Sequence, residues 1–113
     1  MRVLVFESNL FWSSRIVKSL SALGHEPLLV AKPADQYPEA QAAILNLGVS
    51  EFEPSALVPA LRSKGVFVIG HAGHKEIDLR QMGKKAGCDR IASNSEMTFK
   101  LESLLLEAAS PGN

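Results

Sequence analysis

The chain has 113 residues, a length that fits one domain and leaves no room for two. Twelve basic and twelve acidic residues cancel, which excludes a domain that binds nucleic acid by bulk electrostatic attraction. One cysteine, Cys88, cannot form an internal disulfide, no apolar run is long enough to span a membrane, and no signal-peptide segment is visible. We therefore expect a cytoplasmic protein without a membrane partner. It should form a single domain over residues 1–109, followed by a flexible tail over residues 110–113.

Strands and helices alternate along the chain. Short apolar and β-branched runs predict five buried strands, over residues 2–6, 26–31, 42–47, 66–70 and 90–92. Helical spacing of apolar residues predicts helices over residues 8–24, 53–65, 75–87 and 95–109. Residues 32–41 contain two prolines and few apolar anchors, so at most a short helix fits there.

Residues that favour helix ends mark several of these boundaries. Ser8 or Asn9 can cap the first helix and Gly24 can end it, while Ser93 and Glu96 have the spacing of a capping box. The buried faces are predicted from the apolar positions, which are Phe11, Ile16, Leu20 and Leu23 in the first helix, Ile77, Leu79 and Met82 in the third, and Met97, Leu101, Leu104, Leu105 and Ala108 in the last.

Two residues inside the predicted helices are unfavourable for helix formation. Pro59 is awkward in the helix over residues 53–65 unless it falls in the first turn, because proline lacks a backbone N–H. Gly83 slightly weakens the helix over residues 75–87.

The alternation of strands and helices predicts an α/β fold with three layers, in which helices cover both faces of a parallel sheet. For five strands we expect the doubly wound order 2-1-3-4-5, a flavodoxin-like arrangement. In such folds the binding site lies at the carboxyl ends of the strands. The polar residues just past those ends are Glu7 and Ser8, Asn46, Gly70 and His71, and Asn94. The sequence therefore predicts a polar pocket in which Asn46 lies beside Glu7.

At this point the chain resembles the receiver domains of response regulators, the CheY-like family. The resemblance covers residues 1–108, and the Ala86–Gly87 pair before the last strand is typical of the family. The segments that carry it read RVLVFES, AAILNL, VFVIGHA and AGCDRIASNSE. The resemblance implies a signalling domain of a two-component, phosphorelay type of system.

The positions that carry the family's chemistry are altered in this chain. Family receivers place two acids after the first strand for Mg²⁺, an aspartate phosphoryl acceptor after the third, a threonine or serine after the fourth, and a Lys-Pro pair after the fifth. The residues found at these places are Glu7 and Ser8, Asn46, Gly70 or His71, and Asn94 with Ser95. An amide is a poor nucleophile for phosphoryl transfer, and a single acid makes a weak magnesium site.

These departures predict a pseudo-receiver, which is not an enzyme and has no cofactor, with weak or absent Mg²⁺ binding. We expect a stand-alone signalling domain that acts by protein–protein interaction with a histidine kinase or an output protein, and a homodimer remains open. In the family, the fourth helix, fifth strand and last helix form the usual partner-binding face. Its basic residues here are Arg80, Lys84, Lys85 and Arg90.

The alternative is a flavodoxin-like domain that binds a small molecule or a metal ion at the strand ends, using Glu7, Asn46, His71 and His74. His71 and His74 could begin a zinc site, but zinc needs two more ligands. Cys88, Glu76 and His25 are candidates with no recognised spacing. The segment after the first strand contains no glycine, which argues against a phosphate cradle.

Plainer interpretations accompany these predictions. Asn46 can simply cap a loop, Glu7 can be a solvated acid, and His71 and His74 can be exposed in a glycine-rich turn. Cys88 is expected to be an inert packing residue. Trp12 can equally contact a partner or pack within the domain. Phosphotransfer through another aspartate is also open, and the candidates are Asp35, Asp78 and Asp89.

Overall fold

The computed structural model describes residues 1–109 and contains a parallel five-stranded sheet in the order β2-β1-β3-β4-β5, as the sequence predicts. The predicted tail over residues 110–113 lies outside the described residues. The strands are β1 (Arg2–Phe6), β2 (Glu26–Val30), β3 (Ala42–Asn46), β4 (Phe67–Ala72) and β5 (Arg90–Ser93). The helices are α1 (Leu10–Ala22), α2 (Pro54–Ser63), α3 (Ile77–Ala86), α4 (Asn94–Phe99) and α5 (Leu101–Ala109), and a 3₁₀ turn spans Ser50–Phe52.

Alternation along the strands divides the core between the two faces of the sheet. In β1, Val3 and Val5 pack on one face, while Leu4 and Phe6 pack on the other. This is the period of two expected when both faces of a strand are buried. Apolar residues of α1, α4 and α5 cover the first face: Ile16, Leu20, Met97, Leu101, Leu104 and Leu105. The second face is covered by α2 and α3, together with Tyr37 and Ala40 from the connection between β2 and β3.

The β2–β3 connection, residues 31–41, contains no helix, which agrees with the expectation of at most a short one, so the fold has helices after four of its five strands. Two predicted elements have other boundaries in the structure. Strand β4 continues to Ala72 because its hydrogen-bonded pairing with β3 and β5 extends past Gly70. The last helix is interrupted at Lys100, whose φ of −126° departs from helical geometry.

The missing crossover helix leaves open space at the amino end of the sheet. A groove of about 440 Å³ lies between residues 35–41 and α2, and we call it the amino-end groove. Leu4 of β1 forms part of its lining. Its other lining residues include Tyr37, Leu57, Ala60, Leu61, Lys64 and Val66. A helix normally covers a parallel crossover, so the groove follows from the short proline-containing connection.

The ends of α1 and α4 follow the predicted capping chemistry. Asn9 caps α1 by accepting a hydrogen bond from the Trp12 backbone N–H at 3.1 Å, and Gly24 follows the helix with a φ of +86°. Ser93 and Glu96 form the predicted capping box at the start of α4. These local signals are confirmed because each is satisfied within one turn of its own helix.

The predicted buried faces are only partly correct. Ile16 and Leu20 are buried in α1, but Phe11 and Ile77 are each 61% exposed and Leu23 is also exposed. The predicted stripe of the last helix is confirmed, since its leucines and Met97 are buried and Ala108 packs against them. Residues near helix ends extend past the sheet, so helical spacing alone does not bury them.

The two unfavourable helix residues have different roles. Pro59 is the sixth residue of α2, beyond the first turn, and it is tolerated with its ring exposed to solvent. Gly83 is buried in α3, where an added Cβ would lie 2.7 Å from a methyl group of Leu47 and 2.8 Å from one of Ile91. Gly83 therefore permits close packing of α3 on the sheet.

Candidate functional site

The polar residues at the carboxyl ends of the strands, which we call the carboxyl edge, continue the rows of side chains on the first face of the sheet, which α1, α4 and α5 cover. Val3 and Val5 are followed on that face by Glu7, Ile44 is followed by Asn46, and Ile69 is followed by His71. Phe6 pairs with Leu45, and Asn46 pairs with His71, so the three rows end side by side. The period of two along each strand thus stacks a polar layer directly on the apolar core.

Glu7 is the buried centre of this layer. Its side chain is 1% exposed, so it is not the solvated acid that the plainer interpretation expected. The Asn46 Nδ2 donates to both carboxylate oxygens, at 3.0 and 2.9 Å, and the Asn9 backbone N–H donates to Oε2 at 3.2 Å. Burial alone raises the pKa of a carboxyl group, but His71, Asn46 and the Asn9 N–H together hold the Glu7 pKa below its ordinary value.

Asn46 uses both ends of its amide. While Nδ2 binds Glu7, Oδ1 accepts a hydrogen bond from the Gly48 backbone N–H at 2.9 Å. Asn46 therefore caps the loop after β3 and also takes part in the polar pocket. An amide donates through its nitrogen and accepts through its oxygen, whereas an ionised aspartate only accepts and could not make the same contacts.

His71 completes the layer and is buried, with 1% of its side chain exposed. It lies inside β4, so the expectation of an exposed turn histidine is wrong for this residue. Its Nε2 lies 3.5 Å from Glu7 Oε1, and its Nδ1 lies 3.3 Å from Asn94 Oδ1. The Trp12 ring lies against it, with 5.9 Å between ring centroids, which shows that Trp12 packs within the domain.

We call Glu7, Asn46, His71 and Asn94 the edge cluster. The structure brings together four of the six predicted pocket residues. Ser8 is exposed and takes no part in the hydrogen bonds of the cluster. Gly70 faces the opposite side of the sheet, where an added Cβ would meet Cys88 Sγ at 2.9 Å. The Asn9 backbone donor was missed, since no side-chain pattern signals it.

The basic residues of the predicted partner-binding face differ in their exposure and in their contacts. Lys84 and Lys85 are exposed on α3. Arg90 forms ion pairs with Glu107 at 3.1 Å and with Glu96 at 3.8 Å. Arg80 is partly buried, and its Nη1 atom has no hydrogen-bond partner within the described protein.

The zinc alternative is not supported by the geometry. Within residues 1–109, no three histidine, cysteine or acidic side chains are grouped so that they could hold a metal ion. His74 is exposed while His71 is buried. Cys88 packs against the core as expected, and burial raises the pKa of its thiol to about 11, which disfavours the reactive thiolate.

Within residues 1–109, none of the three aspartates forms a hydrogen bond or ion pair with the edge cluster. Asp89 precedes β5 at the opposite end of the sheet, where it accepts a hydrogen bond from the Val68 N–H at 2.8 Å and pairs with Arg62 at 3.2 Å. Asp78 lies on α3, and Asp35 lies in the β2–β3 connection. None of them takes the place of a nucleophile beside Glu7.

Comparison with solved structures identifies the fold. A receiver domain from Bermanella marisrubri superimposes with a TM-score of 0.81 at 14% identity, covering 96% of this chain and 98% of that one. The receiver domain of a sensor histidine kinase from Pseudomonas aeruginosa gives a TM-score of 0.79 at 18% identity, covering 96% and 98%. This chain has the receiver fold. The NtrX receiver domain from Brucella abortus agrees, with a TM-score of 0.74 at 15% identity over 97% and 99% of the two chains.

Sequence comparison adds no closer relationship. No protein-family model matches the sequence, and no curated protein matches it significantly. The receiver fold is therefore recognised through structure, at identities of 18% and below in the three comparisons above. Among residues 1–109, no helix is both long and apolar enough to cross a bilayer.

The Pseudomonas receiver structure holds a magnesium ion in its active-site cleft. The residues of the edge cluster do not fit such an ion. Mg²⁺ requires hard oxygen ligands arranged around an accessible centre. Glu7 is the single carboxylate of the cluster, it is buried, and both of its oxygens already accept hydrogen bonds from nitrogen donors.

Proposed function

We propose that this chain is a receiver-like signalling domain of a two-component type of system that does not use aspartyl phosphorylation. It acts in the cytoplasm by binding a signalling protein, a histidine kinase or an output protein, and it is not an enzyme. The observation that carries the proposal is the Asn46 amide, which donates to both oxygens of buried Glu7.

The chemistry of the edge cluster supports the loss of phosphotransfer. An amide is uncharged, and its nitrogen lone pair is delocalised, so it does not attack phosphorus as a carboxylate does. The Asn46 oxygen is also engaged by the Gly48 backbone N–H. The cluster contains no lysine that could pair with a transferred phosphoryl group.

Treatment with a small phosphodonor and Mg²⁺ tests the loss of phosphotransfer. We expect intact-protein mass spectrometry to show no added phosphoryl group, and amide NMR with beryllium fluoride to show no shifts around Asn46 and His71. A phosphorylation-competent receiver domain, treated in parallel, controls for the quality of the donor. A phosphoryl group mapped to Asp35, Asp78 or Asp89, or to any residue of the edge cluster, would refute the proposal.

The exposed part of the basic face is the proposed contact for a partner. Lys84 and Lys85 lie on the outer surface of α3 beside Gln81 and Asp78, and their two positive charges exceed the one negative charge, so the surface suits an acidic partner. A charge-reversed double variant, Lys84→Glu with Lys85→Glu, is tested for binding to a panel of histidine-kinase dimerisation domains and output domains. It should bind the partner more weakly than the unaltered protein does. Lys18→Glu, an exposed lysine on α1, is the matched control. Equal binding by both variants would place the contact elsewhere.

A further inference from the structure

The groups around Glu7 form a shell of nitrogen donors. Asn46 Nδ2 and the Asn9 backbone N–H lie within 3.2 Å of the carboxylate oxygens. On the remaining side, His71 Nε2 lies 3.5 Å from Oε1. This nitrogen is buried, and it makes no hydrogen bond within the described protein. A buried polar nitrogen in this position needs a group to face, and Glu7 is that group.

The contact on the other side of the imidazole positions the proton of His71. Asn94 lies 3.3 Å from Nδ1. If its oxygen faces the ring, Nδ1 carries a proton and donates to Asn94. If its NH₂ group faces the ring, Nδ1 accepts and the single ring proton lies on Nε2. Only the second arrangement requires Nε2–H, and it directs that proton at the Glu7 carboxylate, which can only accept.

We propose that His71, held by Asn94 and assisted by Asn46, takes the place of a bound divalent cation at this edge. The inference rests on the proposed function and deepens it, because it names what controls the same site. His71 is a positioning residue that satisfies Glu7 from within the protein. The receiver fold is thereby complete without metal, and its state does not depend on Mg²⁺.

Measurements on the unaltered protein test this directly. Mn²⁺ is the probe, since it broadens the NMR signals of nearby amides. We expect no saturable broadening at Ser8, Leu47 or Ala72, and no rise in Tm with Mg²⁺. Saturable broadening centred on Glu7 would overturn the inference. If that occurred while phosphodonors still gave no product, the proposed function would stand and only the inference would fail.

Replacing His71 gives a second, independent test with a local reporter. Trp12 is the only tryptophan and lies against the His71 ring, so its emission reports on this site. His71→Ala should lower Tm and change the Trp12 emission, and added imidazole should reverse part of both changes. His74→Ala removes an exposed histidine three residues along and should show neither effect.

A Glu7→Gln background separates the effect of the Glu7 charge from the effect of filling the space that the His71 ring occupies. If His71 donates to Glu7, added imidazole should restore the Tm of His71→Ala strongly when Glu7 is present and weakly when Glu7 is replaced. Equal rescue in both backgrounds would mean that the ring only fills a cavity, and would overturn the inference. Should His71→Ala fail to fold, His71→Gln, which keeps an N–H donor, is used in its place. Its Tm is then compared between the unaltered and Glu7→Gln backgrounds.

Discussion

The carboxyl edge and the amino-end groove lie at opposite ends of the same sheet and are built in opposite ways. At the carboxyl edge, Glu7 and His71 are each 1% exposed and engage one another. At the other end, the helix-free β2–β3 connection leaves a groove of about 440 Å³. Protein side chains therefore fill the carboxyl edge, the end at which this fold class normally binds ligands, while open space lies at the amino end, which is normally covered. Retention of a fold therefore does not imply retention of its site.

The largest effect is expected from Asn46→Asp at the carboxyl edge. The change is nearly isosteric, but it replaces the donor to buried Glu7 with a second, partly buried carboxylate. We expect the free energy of unfolding at neutral pH to fall by about 3 kcal/mol, the scale for an uncompensated buried charge. Urea denaturation measures the loss. Asn9→Asp makes the same chemical change at an exposed helix cap and should cost little. Equal costs at the two sites would contradict the interpretation of Asn46 as the donor that stabilises buried Glu7.

Overpacking of the interface between α3 and the sheet should have the next largest effect on stability. Gly83→Ala places a methyl group against Leu47 and Ile91, with Leu47 only 1% exposed. Although alanine favours helix by about 1 kcal/mol, the crowding should leave a net destabilisation of about 1–2 kcal/mol. Thermal unfolding followed by circular dichroism measures it. A stabilised variant would show that the interface between α3 and the sheet is looser than the structure indicates.

Glu7 at the carboxyl edge should also make the free energy of unfolding depend on pH in the acidic range. The folded-state pKa of Glu7 lies below its ordinary value, so its contribution is present at neutral pH. That contribution is lost as the pH falls below about 4.5 and through the folded-state pKa, because the unfolded chain then binds the proton more readily. Glu7→Gln should flatten this part of the stability–pH curve. The same change at exposed Glu102 should leave the curve unchanged. An unaltered slope in Glu7→Gln would mean that other acids control it.

The smallest effect is expected at the open end. Ala60 is exposed and lines the amino-end groove, so Ala60→Leu adds methyl groups to space that is already free. We expect a change within about 1 kcal/mol of zero, in contrast to Gly83→Ala. The same thermal unfolding experiment compares the two. A loss as large as that of Gly83→Ala would show that the groove closes in solution and would remove the contrast between the two ends.

Local residue patterns predicted most of the elements and part of the site. The apolar runs located all five strands, and Asn9, Ser93 and Glu96 located two helix starts, because strand runs and helix caps depend on neighbouring residues. The break at Lys100 and the extension of β4 to Ala72 were not predicted. Both depend on how distant elements pair and pack, which helical or strand period does not encode.

The sequence by itself determined the strand order and the placement of Glu7, Asn46 and His71 at one edge, since alternating strands and helices permit few topologies. Only the tertiary structure decided that this edge is buried and that Gly70 faces away from it. The reason is that side-chain direction depends on where a strand ends and on what covers it. The Trp12 ring and the Asn94 side chain enclose His71 from elements that are distant in sequence. A polar residue after a strand becomes a solvated loop residue or a buried partner according to such contacts.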